Sequence, residues 1–158
     1  MKILFLILAI WPMSQLVFGE EEIIELDVRW LVDVERRWND DRPLEQTASL
    51  TLLAREQAKC MALRGKISHR DNYGRLPGAR MHAGGISWQI AGENVAVVTG
   101  DDPAMAVFRA WMNSPKHRRN MLSPYYQQTG IGVYKKGDYY YYSQLLAKPA
   151  EKQLDQKK

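Results

Sequence analysis

Ala110-Trp111-Met112-Asn113-Ser114-Pro115-Lys116-His117-Arg118-Arg119-Asn120-Met121-Leu122 reads as the end of one helix followed by the whole of another. The first enters from Asp102, with Pro103 in its first turn and Met105, Val107, Phe108 and Trp111 on its apolar face, and it stops at Ser114-Pro115. The same Ser-Pro pair opens a short helix through Leu122, which Ser123-Pro124 ends. His117 falls in the first turn of that short helix, where unsatisfied amides and the positive dipole end disfavour an imidazolium. A neutral imidazole is what a metal ion or a general base needs.

Upstream, Ile23, Leu26, Trp30, Val34 and Trp38 recur at three- and four-residue steps. That spacing predicts an amphipathic helix from Glu22 to Trp38 with acidic residues at its start. A second helix is expected from Ser49 to Arg64, with Leu50, Leu53, Ala54, Ala58, Met61 and Ala62 on one face and Gly65 as its stop. A short helix over Gly78 to Ala83 is broken by Gly84-Gly85, and Gly92 to Val98 reads as extended. Downstream, Thr129 to Tyr134 and Tyr139 to Leu146 form a hairpin around Lys135-Lys136-Gly137-Asp138, with about two of the four tyrosines in the core. Helices first and strands late indicate α+β or a three-layer sandwich, not a doubly wound sheet.

The ends of the chain have their own signatures. Met1-Lys2, the apolar run Ile3 to Trp11 and the small residues around Val17-Phe18-Gly19 read as a cleavable export signal over residues 1–19, too short to span a bilayer. The domain then covers residues 22–146, and residues 147–158 are expected to be a disordered basic tail. Of the net charge of +4, Lys2 leaves with the signal and the tail holds +2, so the folded body carries +1 without a basic stripe. Nucleic acid is therefore excluded as a partner class. Cys60 is the single thiol, which rules out an intramolecular disulfide and reads as structural.

Among the three histidines, His69 lies beyond a helix end, free to point into a cleft, and His82 reads as a surface residue. Glu93, in Gly92-Glu93-Asn94 at the mouth of an apolar strand, is costly to bury without a partner. It either satisfies loop amides or serves a site, and the spacing of 24 residues between His69, Glu93 and His117 does not decide which.

Ser68-His69, Ala91-Gly92-Glu93-Asn94-Val95-Ala96, the Trp-Met-Asn-Ser-Pro-Lys-His block at 111–117 and Gly130-Ile131-Gly132-Val133, in that order, resemble the CAP superfamily. This is the group of cysteine-rich secretory, antigen 5 and pathogenesis-related 1 proteins, and the likeness is to its bacterial SCP-like branch. Arg80 and Tyr142-Ser143-Gln144 also fit the pattern. The resemblance implies a three-layer α-β-α sandwich with a central, mostly antiparallel sheet. It further implies a cleft lined by His69, Glu93, Asn94, Asn113, Ser114 and His117, with the two histidines able to hold zinc or another divalent ion. Where many relatives carry a second cleft Glu three residues after the Trp, this chain has Ser114.

Two functions remain open at this stage. One is a secreted or periplasmic binding module, without a stable membrane anchor after cleavage, whose cleft takes a metal and whose grooves take a lipid, glycan or protein partner. The other is a metal-dependent hydrolase with Glu93 as general base. The absence of a Ser, Cys or Thr poised beside a base, and of an evident third zinc ligand, favours binding.

Overall fold

The computed structural model describes residues 18–151, along which run α1 (Glu20–Trp38), β1 (Glu45–Gln46), α2 (Ala48–Arg64), α3 (Pro77–Ala83), β2 (Trp88–Val98), α4 (Pro103–Met112), α5 (Pro115–Met121), β3 (Gln128–Lys136) and β4 (Tyr139–Pro149). The expected export signal lies outside the described residues except for Phe18 and Gly19, as does the tail beyond Glu151.

Local chemistry accounts for most element ends. Thr47 caps α2 by accepting from Leu50 N, and Gly65, at φ +62, ends it with Gly65 N and Lys66 N donating to Ala62 O and Met61 O. Asp102 caps α4 through Met105 N, with Pro103 in the first turn. Gly137-Asp138 turns β3 into β4, with Gly137 at φ +59, where a Cβ would be strained.

The strands lie in the order β1-β3-β4-β2; β1 runs parallel to β3 and the other pairs are antiparallel. Alternation along β4 sends Tyr140 and Tyr142 to the face covered by α1, α4 and α5, and Tyr141, Leu145 and Ala147 to the face covered by α2 and α3. The result is the expected α-β-α sandwich with a mostly antiparallel sheet. Because helices cover both faces, three of the four tyrosines are buried and not two; only Tyr139, beside the turn, is exposed.

The strands also run further than the sequence pattern implied. β4 extends to Pro149, and Ala147 is fully buried, so the boundary at residue 146 falls inside a strand. Lys148 and Pro149 resemble a tail in composition, but they pair with Ile90 and Trp88, which lengthens β2 to Trp88 as well. At the other end, α1 begins at Glu20.

α1 is rotated away from its expected apolar stripe. The side buried against α4 and β3 carries Ile24, Val28 and Val32, whereas Ile23, Leu26, Trp30 and Trp38 are exposed. Two buried charges explain the rotation. Glu25 accepts from Val133 N on the outer edge of β3 and pairs with Arg55 Nε at 2.8 Å, and Glu21 accepts from Lys135 N on the same edge. Arg36, buried near the helix end, donates to Arg42 O at 2.7 Å, Met121 O at 2.7 Å and Ser123 O at 3.0 Å. A sheet edge left bare would be open to strand addition, and these carboxylates close it.

Candidate functional site

β2 pairs only with β4 and is the other edge of the sheet. Neighbouring residues of a strand point to opposite faces, and here that separates Glu93 from Asn94. Asn94 turns toward α5, donating to His117 O at 3.1 Å and Gln144 Oε1 at 3.0 Å and accepting from Asn120 Nδ2 at 2.9 Å. Asn120 also donates to Glu93 O, covering the strand edge. Glu93 turns to the α2/α3 side.

There Glu93 is the hub of a buried network. One carboxylate oxygen accepts from Arg80 Nη2 and from Ser143 Oγ, the latter at 2.8 Å; the other faces His69 Nδ1 at 2.9 Å. Arg80, itself buried within α3, also donates to His69 O at 2.7 Å. Gln57 of α2 holds the same loop through Ser68 O at 2.6 Å. Beyond it, Asp71 accepts from Tyr73 N and Arg75 N, so Asp71-Asn72-Tyr73-Gly74 forms the turn its composition implied. A carboxylate can only accept, so Nδ1 of His69 carries the proton and Nε2 is its free nitrogen. Ser68 Oγ is engaged with Arg70 N and is not a nucleophile poised beside the ring.

His117 projects from the first turn of α5, with Ser114 as N-cap and Pro115 opening the helix. Burial, then the neighbouring charges of His69 and Lys116, hold its pKa below the ordinary value, so it is neutral near pH 7. His82 is exposed on α3.

A cleft of about 620 Å³ runs along the β2 edge, with His69, Leu76, Trp88, Lys116, Asn120 and Tyr126 in its walls. Two glycines make these walls possible. Trp88 lies against Gly78 and donates to its carbonyl at 3.0 Å, and Tyr126 lies against Gly92; a Cβ at either glycine would collide with the ring. Asn113 is not in this cleft. It lines a separate depression of about 690 Å³ with Met112, Arg118 and Tyr125, which contains neither His69 nor His117. Ser114 is not in the cleft wall, and Asn94 is buried behind it. The residues that pattern reading passed over as site-builders are Arg80, Ser143 and Asn120. Nothing in an isolated sequence distinguishes an arginine that anchors a buried carboxylate from one on the surface.

Glu93 as general base is not supported by this geometry. Its side chain is 1% exposed where it lines the cleft, and both oxygens are engaged by protein groups. His69 and His117 are the candidate donors for a divalent ion, but of the two only His69 is among the residues lining the cleft. His69 presents Nε2 with Nδ1 fixed by a carboxylate, an arrangement common behind metal-binding histidines, and His117 is neutral. Among the described residues there is no group of three His, Cys, Asp or Glu side chains able to hold a metal ion, so a closed structural zinc site is excluded there.

A family model for the cysteine-rich secretory protein (CAP) family matches residues 31–146. The uncharacterized protein YkwD of Bacillus subtilis is 31% identical over 118 residues, which is 75% of this chain and 43% of that protein. The chain therefore spans less than half the length of this relative. A crystal structure of an extracellular SCP-domain protein from Bacillus anthracis superposes with a TM-score of 0.73 at 26% identity, covering 81% of this chain and 41% of that one. NaASP2, crystallised with Zn2+, shares the fold at a TM-score of 0.54 and 12% identity, over 84% of this chain and 82% of its own. No helix among the described residues is long and apolar enough to cross a membrane.

Proposed function

Because the chain belongs to the cysteine-rich secretory protein (CAP) family, we propose that it is an exported binding module whose cleft holds a divalent ion weakly between His69 and His117. The observation that carries this reading is the Glu93–His69 contact at 2.9 Å, which spends a buried carboxylate on fixing one imidazole tautomer. When bound, a zinc-class ion supplies a Lewis-acidic anchor for an oxygen or nitrogen of the partner. The protein groups do the rest: Trp88, Leu76 and Tyr126 offer apolar surface, and Lys116 and Asn120 offer donors, to a lipid, glycan or protein segment lying along the β2 edge. Export rests on the leader-like pattern of Lys2, the apolar run and Gly19, and N-terminal sequencing of protein recovered from medium or periplasm should give a start at or near Glu20. An intact Met1 in the membrane fraction would show an anchor.

Zinc titration of three variants tests the site. Wild type is expected to bind at roughly micromolar affinity, His117→Ala to lose binding, and His82→Ala to retain it. Glu93→Gln is the sharper variant. Arg80 can only donate, so the new amide oxygen faces Arg80 and Ser143 while the amide nitrogen donates to His69 Nδ1. That moves the ring proton to Nε2. Affinity should fall about 10- to 100-fold, with a stability loss of about 3 kcal/mol, because Arg80 loses its counter-ion but keeps the carbonyls of His69 and Arg75 and the new amide oxygen. Equal loss of zinc in His117→Ala and His82→Ala would mean surface chelation and would sink the proposal.

A further inference from the structure

We infer that the exposed stripe of α1 is a self-association surface, which pairs with α1 of a second copy of this chain in antiparallel orientation about a two-fold axis at Trp30. The buried side of α1 is spent on α4 and β3, so a second apolar stripe is left without a partner in the fold. Ile23 is 49% exposed, Leu26 44%, Trp30 63% and Trp38 83%. With about 100° per residue, Ile23, Leu26, Trp30, Val34 and Arg37 fall within about 80° of one another, a narrow seam of the width helix pairs use.

Self-complementarity singles out a second copy as the occupant. Rising about 1.5 Å per residue, Leu26 and Val34 stand equally far on either side of Trp30, and so do Ile23 and Arg37. An antiparallel two-fold therefore sets Trp30 against Trp30, Leu26 against Val34 and Ile23 beside Trp38 of the other copy. The flanking charges match in the same register. Glu22 lies about 12 Å before Trp30 and Arg37 about 10.5 Å after it on the same flank, so each Glu22 meets the other copy's Arg37. Arg37 makes no ion pair among the described residues, and Glu22 reaches Arg55 at 3.5 Å through one oxygen while the other accepts from Gly19 N at 3.2 Å. In a parallel pair Glu22 would face Glu22 and Arg37 would face Arg37. An anionic membrane fits the stripe poorly, because Glu20, Glu22 and Asp27 flank its N-terminal half. The apolar side chains offer roughly 500 Å² per copy, at the low end of specific interfaces, which sets the association in the micromolar range.

Sedimentation of the exported protein from about 1 to 200 µM should show a monomer–dimer equilibrium with a midpoint in the micromolar range. Trp30→Glu should weaken it about 100-fold or more with an unchanged far-ultraviolet spectrum, since a two-fold interface loses its central aromatic twice. Arg37→Glu alone should weaken it about tenfold, and Glu22→Arg combined with Arg37→Glu should restore it to within about threefold. A wild type monomeric throughout, a dimer indifferent to Trp30→Glu, or a charge swap that fails to restore pairing would each overturn the assignment. So would a monomer that binds zwitterionic vesicles through Trp30, which would make the stripe a lipid-facing surface.

Discussion

Gly132→Ala is expected to lower stability by about 3 kcal/mol, and Gly132→Val to leave little folded protein, although the alanine substitution adds a single methyl. A Cβ at Gly132 would overlap the backbone of Ala54 and Arg55, and one at Gly130 the backbone of Leu50 and Thr51. No side chain can swing aside to relieve the overlap, because the obstacle is the helix itself. α2 would have to lift off the sheet, opening the packing of Leu50 and Ala54 on Leu145 and Ala147 and loosening the link from Arg55 to Glu25. Thermal melts should show a drop of about 10 °C for Gly132→Ala. Gly137→Asn makes a suitable control, since its surroundings are open and asparagine tolerates a left-handed backbone; it should cost under about 1 kcal/mol. A Gly132→Ala protein as stable as that control would refute the close approach.

Arg80→Met is expected to cost about 3 to 5 kcal/mol, because it strands the buried Glu93 carboxylate without its guanidinium. Adding Glu93→Gln to Arg80→Met removes the unpaired charge and should recover part of the loss. Urea melts of the single and double variants read both effects, and a deficit under about 1 kcal/mol for Arg80→Met would show that Arg80 is not the counter-ion of Glu93.

The candidate site was partly legible in the chain itself. Ser114-Pro115 is enough to place His117 in the first turn of a short helix, and Gly65 enough to end α2 shortly before His69. The order of motifs brings His69, Glu93 and His117 into one reading. What Glu93 does was not legible, since its role depends on Arg80 and Ser143, which are 13 and 50 residues away. Asn113 and Ser114 join the cleft in the sequence reading through the family resemblance, at the place where many relatives carry a second cleft Glu. On α4 and α5, however, closeness in sequence does not mean a shared face, and Asn113 looks into another depression.

By itself, the sequence determined the kinds of elements, their caps and stops, the hairpin and the family, because those depend on local backbone preferences and short motifs. The tertiary structure decided which way each element faces. α1 has two apolar stripes, and periodicity favours the richer one, Ile23 to Trp38. The helix instead turns Glu25 to the buried amide of Val133, and Glu21 to the exposed amide of Lys135, because a buried backbone donor left unsatisfied costs more than leaving Trp30 in water. Likewise, Ala147 to Pro149 look like a tail until β2 supplies partners for them, and three tyrosines of β4 are buried because helices cover both faces of the sheet.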